Sequence, residues 1–289
     1  MQVRLDLPPD FSFDRVVRSH GWFELPPFSY DAPRRTLTTV LGGARQSAPA
    51  RRIAFSPEGR RLLVEGDGAS RAQLEALARR IFSLDVDLLG FRKLVREEPV
   101  LRRGLRGGGG RILRAPTLFE DAVKMLLTTN CSWEATRGMV VRLIALCGDG
   151  GEAFPTAQAV ARFTPAVLKA KVRCGYRAGA LSRFARRVAS GRLDLARWER
   201  KDAPSADVRE EILAEHGFGP YAAEGLLRIL GRHDFLALDS WVRKQYRRLH
   251  PGPAKTVDRA IARRYARYES YRGLALWLEL TGAWHEENP

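Results

Sequence analysis

From Thr117 almost to the end of the 289-residue chain, apolar side chains recur at helical spacing. No other feature constrains the fold as strongly. Leu118, Ala122, Met125 and Leu126 form one stripe, Met139, Val140, Leu143 and Ile144 another, and Leu181, Phe184, Ala185 and Val188 a third. Connections such as Gly148–Gly151 and Ser190–Gly191 are short. The pattern predicts a compact bundle of about six to eight helices.

Residues 1–83 follow a different period. Thr36–Leu41, Arg52–Ser56 and Arg61–Glu65 are short and partly β-branched, bounded by Gly-Gly, Ser-Pro-Glu-Gly and Gly-Asp-Gly turns. An antiparallel meander is expected, then a helix over Ser70–Phe82 with Leu74, Leu77, Ala78 and Ile81 on one face. The fold class is therefore α+β, an N-terminal antiparallel sheet domain followed by an all-α core. Between them a charged helical stretch, Phe91–Arg103, ends at Gly104–Gly110. The glycines there lack a following G-K-[ST] and a preceding strand, so they read as a loop and not a phosphate cradle.

Lys and Arg number 49 against 33 Asp and Glu, a formal charge of +16. A polyanionic partner follows from counterion release, although a coding bias toward arginine can raise charge without function. An anionic membrane surface fits less well, because no basic amphipathic helix keeps one apolar face. No apolar run approaches the ~20 residues of a bilayer span, and MQVRLDLPPDF has no signal-peptide pattern. A cytoplasmic protein is expected. Cys131, Cys147 and Cys174 are odd in number and contain no C-x-x-C, which argues against a disulfide framework and a four-cysteine zinc or iron–sulfur site. The histidines form no H-x-x-x-H pair, so no metal is expected.

The chemistry is concentrated in Glu211–Leu230 and Phe235–Val242. A helix ends at Gly217-Phe218-Gly219 and another starts with Pro220, where the missing N–H costs nothing. Two glycines permit a tight hairpin with amides exposed at a helix start, which suits one DNA phosphate. Phe218 would plug into the core. Twenty residues after Gly219, Asp239 follows an apolar strand-like run and precedes a helix over Ser240–Leu249. It can be read as an N-cap. It can equally be a fixed anion that stabilises an oxocarbenium-like transition state and orients water.

Gly217-Phe-Gly-Pro-Tyr-Ala-Ala with Ala237-Leu-Asp-Ser-Trp resembles the helix-hairpin-helix and Gly/Pro…Asp signature of the DNA glycosylase superfamily, HhH-GPD. Arg111–Val123, Thr128–Val140, Ala153-Phe-Pro-Thr and Gly175-Tyr-Arg-Ala178 are similar to core segments of the 8-oxoguanine glycosylases. The likeness covers roughly residues 110–282, and the N-terminal sheet is compatible with the β-domain of 8-oxoguanine and alkylbase (AlkA-type) enzymes. It implies a sheet domain over 1–83 and a glycosylase core over 84–289. In that core 116–235 forms a helical barrel with the hairpin, and 84–115 plus 236–289 form a second helical subdomain.

The resemblance also implies roles. Asp239 falls on the catalytic aspartate, and the hairpin amides from Phe218 to Tyr221 hold DNA, with a monovalent cation admitted among the loop carbonyls. Asn130 would fill the hole left by an extruded base, Tyr176 would wedge into the stack, and Arg177 would contact the orphan base. Asn130 as a helix cap, Tyr176 as core and Arg177 as surface are the plainer alternatives.

Two departures matter. Tyr221 stands where bifunctional members carry a nucleophilic lysine, so no Schiff base is expected there; Lys201 and Lys244 do not match the motif. Leu276 and Leu280 stand where 8-oxoguanine enzymes place a base-reading glutamine and a stacking aromatic. A pocket of Tyr221, Leu276 and Leu280, joined by Trp241 and Trp277 unless these are core, suits a cationic alkylated purine by cation–π attraction. The expectation is a monofunctional glycosylase excising damaged bases, alkylated purines such as 3-methyladenine or 7-methylguanine, from double-stranded DNA, as a monomer without cofactor or iron–sulfur cluster. An oxidised-base glycosylase and a non-catalytic binder of damaged DNA are the alternatives.

Overall fold

The computed structural model describes residues 1–42, 50–105 and 108–285. Gly43 of the expected Gly-Gly turn, and Arg106 and Gly107 of the glycine-rich break, lie outside them. Five strands, β1 (Gln2–Asp6), β2 (Ser29–Asp31), β3 (Thr36–Leu41), β4 (Arg51–Glu58) and β5 (Arg61–Gly66), form one sheet in the order β1-β5-β4-β3-β2. All neighbours are antiparallel. The meander β3-β4-β5 is the expected one, while β1 and β2 are additions. β2 has three residues, too few to show a period. β1 does alternate, with Val3 and Leu5 turned inward.

The sheet packs on the helix Arg71–Ile81. Ser70 Oγ accepts from the Gln73 amide and caps that helix, and Gln73 Oε1 accepts in return from the Ser70 amide. This capping box satisfies two amides that a helix start otherwise leaves open. Leu74, Ala78 and Ile81 are buried, as their spacing predicted.

The Phe91–Arg103 stretch is two helices, Leu89–Leu94 and Pro99–Leu105. Proline cannot continue a helix but can start one, so the chain breaks before Pro99. Beyond Thr117 the described residues contain eleven α-helices, more than the periodicity predicted. The surplus comes from short pieces such as Ala157–Ala161 and Ala196–Glu199, which a single apolar stripe spans without showing the break.

Buried apolar side chains fall into two clusters. One joins the sheet to the helices between Leu118 and Ile229. The other joins Leu88, Phe91 and Leu101 to Val242, Tyr246, Ile261, Tyr265 and Leu274. Helix Leu118–Thr128 runs through the first and is almost wholly buried. Its charged residues are paired: Asp121 accepts from Trp22 Nε1 at 2.8 Å and Arg80 Nη2 at 3.0 Å, and Lys124 meets Glu120 at 2.6 Å. Leaving any of them unpaired there would cost several kcal/mol, roughly 3–5, so the network holds the helix to its buried neighbours. Among the described residues, no helix is long and apolar enough to cross a membrane.

Candidate active site and nucleic-acid interface

Helix Ser205–Leu213, the turn Ala214–Gly219 and helix Pro220–Ile229 form the expected hairpin. Gly217 has φ +95°, and a Cβ there would lie 2.5 Å from Ala180 Cβ. Gly219 differs: it is the N-cap at φ −84°, and a Cβ would meet nothing within 4 Å. Only the first glycine is demanded by the protein's own packing. Phe218 is buried and lies 5.1 Å from the Phe184 ring, so it plugs the core as its position suggested.

One expectation about the hairpin needs correction. The Phe218 amide donates to Glu215 O at 3.1 Å and is spent inside the turn, and Pro220 has no N–H to offer. The donors left at this exposed end are the Gly219 amide and the first-turn amides of Tyr221 and Ala222. Their partial positive charge favours an anion.

Phe235–Leu238 is irregular and not a strand. It is held from the hairpin helix: Glu224 Oε2 accepts from the Ala237 amide at 2.9 Å, and Arg228 Nη2 donates to Leu236 O at 3.3 Å. Ala237 sits at φ +52°, a left-handed conformation that a non-glycine residue keeps only when its surroundings enforce it. Glu224 is itself fixed by Arg209 at 2.9 Å. This loop delivers Asp239 to the start of helix Ser240–Leu249, where Oδ1 accepts from the Val242 amide at 2.6 Å. Asp239 is half-buried, and Oδ2 has no hydrogen-bond partner among the described residues. The aspartate is thus an N-cap with one oxygen still open.

Tyr221 faces the same region. Its hydroxyl donates to Thr128 Oγ1 at 3.5 Å, and burial, helped by the nearby Asp239 charge, pushes its phenol above the usual range. It is neutral at physiological pH.

Helix Leu118–Thr128 ends into Thr129 and Asn130, the latter at φ +46°. Asn130 Nδ2 donates to the Tyr176 hydroxyl at 3.3 Å, and Tyr176 is 67% exposed. An aromatic side chain left this open is not core. The Thr129 hydroxyl, then Asn130 and the Arg177 charge, hold the Tyr176 phenol below its ordinary range against the effect of burial. Arg177 departs from expectation. It is 7% exposed, donates to the Thr129 carbonyl, to Thr129 Oγ1 at 3.2 Å and to Cys174 O at 3.5 Å, and its guanidinium lies 4.6 Å from the Tyr176 ring centroid. Its donors are engaged within the protein, so it supports the Asn130–Tyr176 pair and does not reach outward.

Leu276 and Leu280 are 1% and 6% exposed and belong to the second apolar cluster. They are core, where an open pocket wall was expected. The helix Arg272–Thr281 turns Trp277 the other way: its Nε1 donates to Ser19 O at 2.9 Å, and its ring lies 5.7 Å from Trp241 and 5.8 Å from Trp284. Trp241 and Trp284 are 5.4 Å apart. Over the face of Trp277, at 4.4 Å, lies the guanidinium of Arg228.

Arg228, Glu224, Trp284 and the Ser19 carbonyl did not emerge from the sequence. Tyr221, Glu224 and Arg228 follow helical spacing on an otherwise apolar helix, a signal that was readable. The contribution of Ser19 was not, because it comes from the far end of the chain.

Among the described residues, no three His, Cys, Asp or Glu side chains gather to ligate a metal. The fold is similar to 3-methyladenine DNA-glycosylase from Archaeoglobus fulgidus, with 21% identity, a TM-score of 0.74 and 98% and 99% of the two chains covered. It is also similar to Clostridium acetobutylicum 8-oxoguanine glycosylase/lyase solved with double-stranded DNA containing cytosine opposite 8-oxoguanine, with 17% identity, a TM-score of 0.72 and 97% and 93% covered. MBOgg1 in complex with a low-affinity DNA ligand gives 18% identity, a TM-score of 0.74 and coverage of 99% and 96%. No curated protein sequence matches the chain. The HhH-GPD family model matches residues 123–269, a span that begins in the buried helix, takes in the hairpin and Asp239 and covers half of the sequence. The chain belongs to the HhH-GPD superfamily of base excision DNA repair proteins.

Proposed function

We propose that the protein is a monofunctional DNA glycosylase: it extrudes a damaged base from duplex DNA and hydrolyses its N-glycosidic bond without cutting the strand. The observation that carries this reading is Asp239, held by a loop that the hairpin helix itself pins, with one carboxylate oxygen uncommitted. Such an anion stabilises positive charge developing on the sugar and can orient the attacking water. The exposed amides of Gly219 and Tyr221 take a backbone phosphate. Tyr176 and Asn130, rising together from two segments, occupy the space of the departed base and offset the few kcal/mol that extrusion costs. A monovalent cation at the hairpin is compatible with the turn: the Glu215 and Gly219 carbonyls each accept one amide and keep a second lone pair.

The hydrolytic outcome rests on the residue that stands at the nucleophile's position. Tyr221 occupies the nucleophile's position with a neutral phenol, Lys124 is buried against Glu120, and Lys201 donates to the Asp85 carbonyl. On the base class, the alkylated-purine expectation needs open aromatic faces. Arg228 already covers Trp277, which favours the second reading, a neutral modified base.

The test uses duplexes carrying single lesions, incubated with and without alkali. Release of free base leaving an alkali-labile site is expected. Asp239→Asn should remove at least about a thousandfold of the rate, roughly 4 kcal/mol, while preserving the cap and hence the melting temperature. Strand cleavage without alkali, or a borohydride-trapped adduct, overturns the monofunctional assignment.

A further inference from the structure

Arg228 is 9% exposed in the described structure, yet it forms no ion pair among the described residues. Neither of the two carboxylates that act on it pairs with it: Glu224 binds Arg209, and Asp239 accepts from the Val242 amide through Oδ1. Its Nη2 donates to Leu236 O, its face lies on Trp277, and its Nε has no partner. A buried guanidinium normally finds a carboxylate, and an orphaned donor of this kind calls for a missing acceptor. Desolvation lowers its pKa to about 10, which still leaves it cationic at neutral pH.

We infer that Arg228 is a base-reading residue that selects neutral, carbonyl-bearing bases by holding the negative charge they acquire on leaving. The inference rests on the glycosylase reading of Asp239. When the N-glycosidic bond breaks, its electron pair stays on the base nitrogen and delocalises onto the carbonyl oxygen. The sugar becomes cationic at C1′. Water then supplies hydroxide to C1′, and its remaining proton ends on the base. A transition state with a cation on the sugar and an anion on the base matches a neighbouring pair of opposite charges, Asp239 for the sugar and Arg228 for the base. An N-alkylated purine has no use for the guanidinium, because it leaves as a neutral molecule. Before bond cleavage it is itself a cation, which Arg228 repels.

The experiment measures single-turnover release of hypoxanthine, 8-oxoguanine and 7-methylguanine from matched duplexes by wild type, Arg228→Gln, Arg228→Lys and Asp239→Asn, with each rate divided by the spontaneous rate. Wild type should accelerate at least one of the two bases that are neutral in the duplex, hypoxanthine and 8-oxoguanine, more than tenfold over 7-methylguanine. Arg228→Gln should lose about a hundredfold more on hypoxanthine and 8-oxoguanine than on 7-methylguanine, with partial rescue by lysine. The wild-type comparison stands even if the variants fail to fold. Equal or greater acceleration of 7-methylguanine by wild type, or an equal loss on all bases in a folded Arg228→Gln, overturns the inference. If 7-methylguanine alone is released and Asp239→Asn abolishes it, the glycosylase reading survives without the Arg228 role. Release of no base from any duplex sinks both.

Discussion

Replacing each hairpin glycine by alanine should separate folding from DNA binding. At Gly217 the backbone is left-handed, and the new Cβ would stand 2.5 Å from Ala180 Cβ and 3.0 Å from Leu126 Cδ1. Forcing alanine to positive φ costs about 1–2 kcal/mol, and relieving the overlap in a packed helix junction costs about 1–3 kcal/mol more. The sum, about 2–5 kcal/mol, corresponds to a fall in melting temperature of roughly 3–8 °C for a protein of this size. At Gly219 the arithmetic is different. Alanine fits φ −84° and meets no atom, so it gains about 0.4–1 kcal/mol from a less flexible unfolded chain. It loses a comparable few tenths to 1 kcal/mol, because alanine is a poorer N-cap than glycine. The net effect on stability is near zero. The methyl group, however, projects into the open space in front of the Gly219 and Tyr221 amides, where a phosphate must come. Losing one charge-assisted hydrogen bond weakens binding by about 1.5 kcal/mol, roughly tenfold. Calorimetric melting and fluorescence anisotropy on an abasic-site duplex read the two quantities. A Gly219→Ala protein that binds like wild type would refute the hairpin as the phosphate grip. One that melts early would refute the claim that only Gly217 is structurally required.

Burial lowers the His20 pKa to about 4 and that of His233 to about 3, so both are neutral in the native state and protonate readily once unfolded. With an unfolded value near 6.5, each should cost about 2 kcal/mol of stability at pH 5 relative to pH 7.5. The loss begins below pH ~6.5 and continues down through the folded values. Urea melts across that range check it, and a flat profile refutes it. Arg177→Ala should lower stability by about 2–4 kcal/mol through the unpaired Thr129 carbonyl, and should reduce base extrusion read by 2-aminopurine fluorescence. An unchanged melt with an altered opposite-base preference would instead restore the outward role that the sequence suggested.

Much of this architecture was legible from local chemistry. Strand β3, the capping box at Ser70, the hairpin and the aspartate at a helix start each follow from rules that act over a few residues. The misreadings share a cause. Leu276, Leu280 and Arg177 were placed by position within a motif, and whether such a side chain faces solvent, pocket or core depends on segments far away in the sequence. Trp277, one residue from Leu276, faces the other apolar cluster because 100° of helical rotation separates neighbours. The cation over Trp277 was likewise invisible, since residues 228 and 277 meet only in three dimensions.

The hydrogen bond from Trp277 to the carbonyl of Ser19 spans 258 residues. A ribosome finishes the hairpin and Asp239 before it finishes Trp277, so a nascent chain carries the carboxylate before the wall beside it exists. The second apolar cluster, which joins Leu88–Leu105 to Val242–Leu280, is likewise a late-closing assembly. The aromatic wall at Trp277 is therefore the last part of the site to be made, and because the same helix packs on Val242 and Tyr246, shortening the chain by that helix would unmake the wall and loosen the seat of Asp239 together.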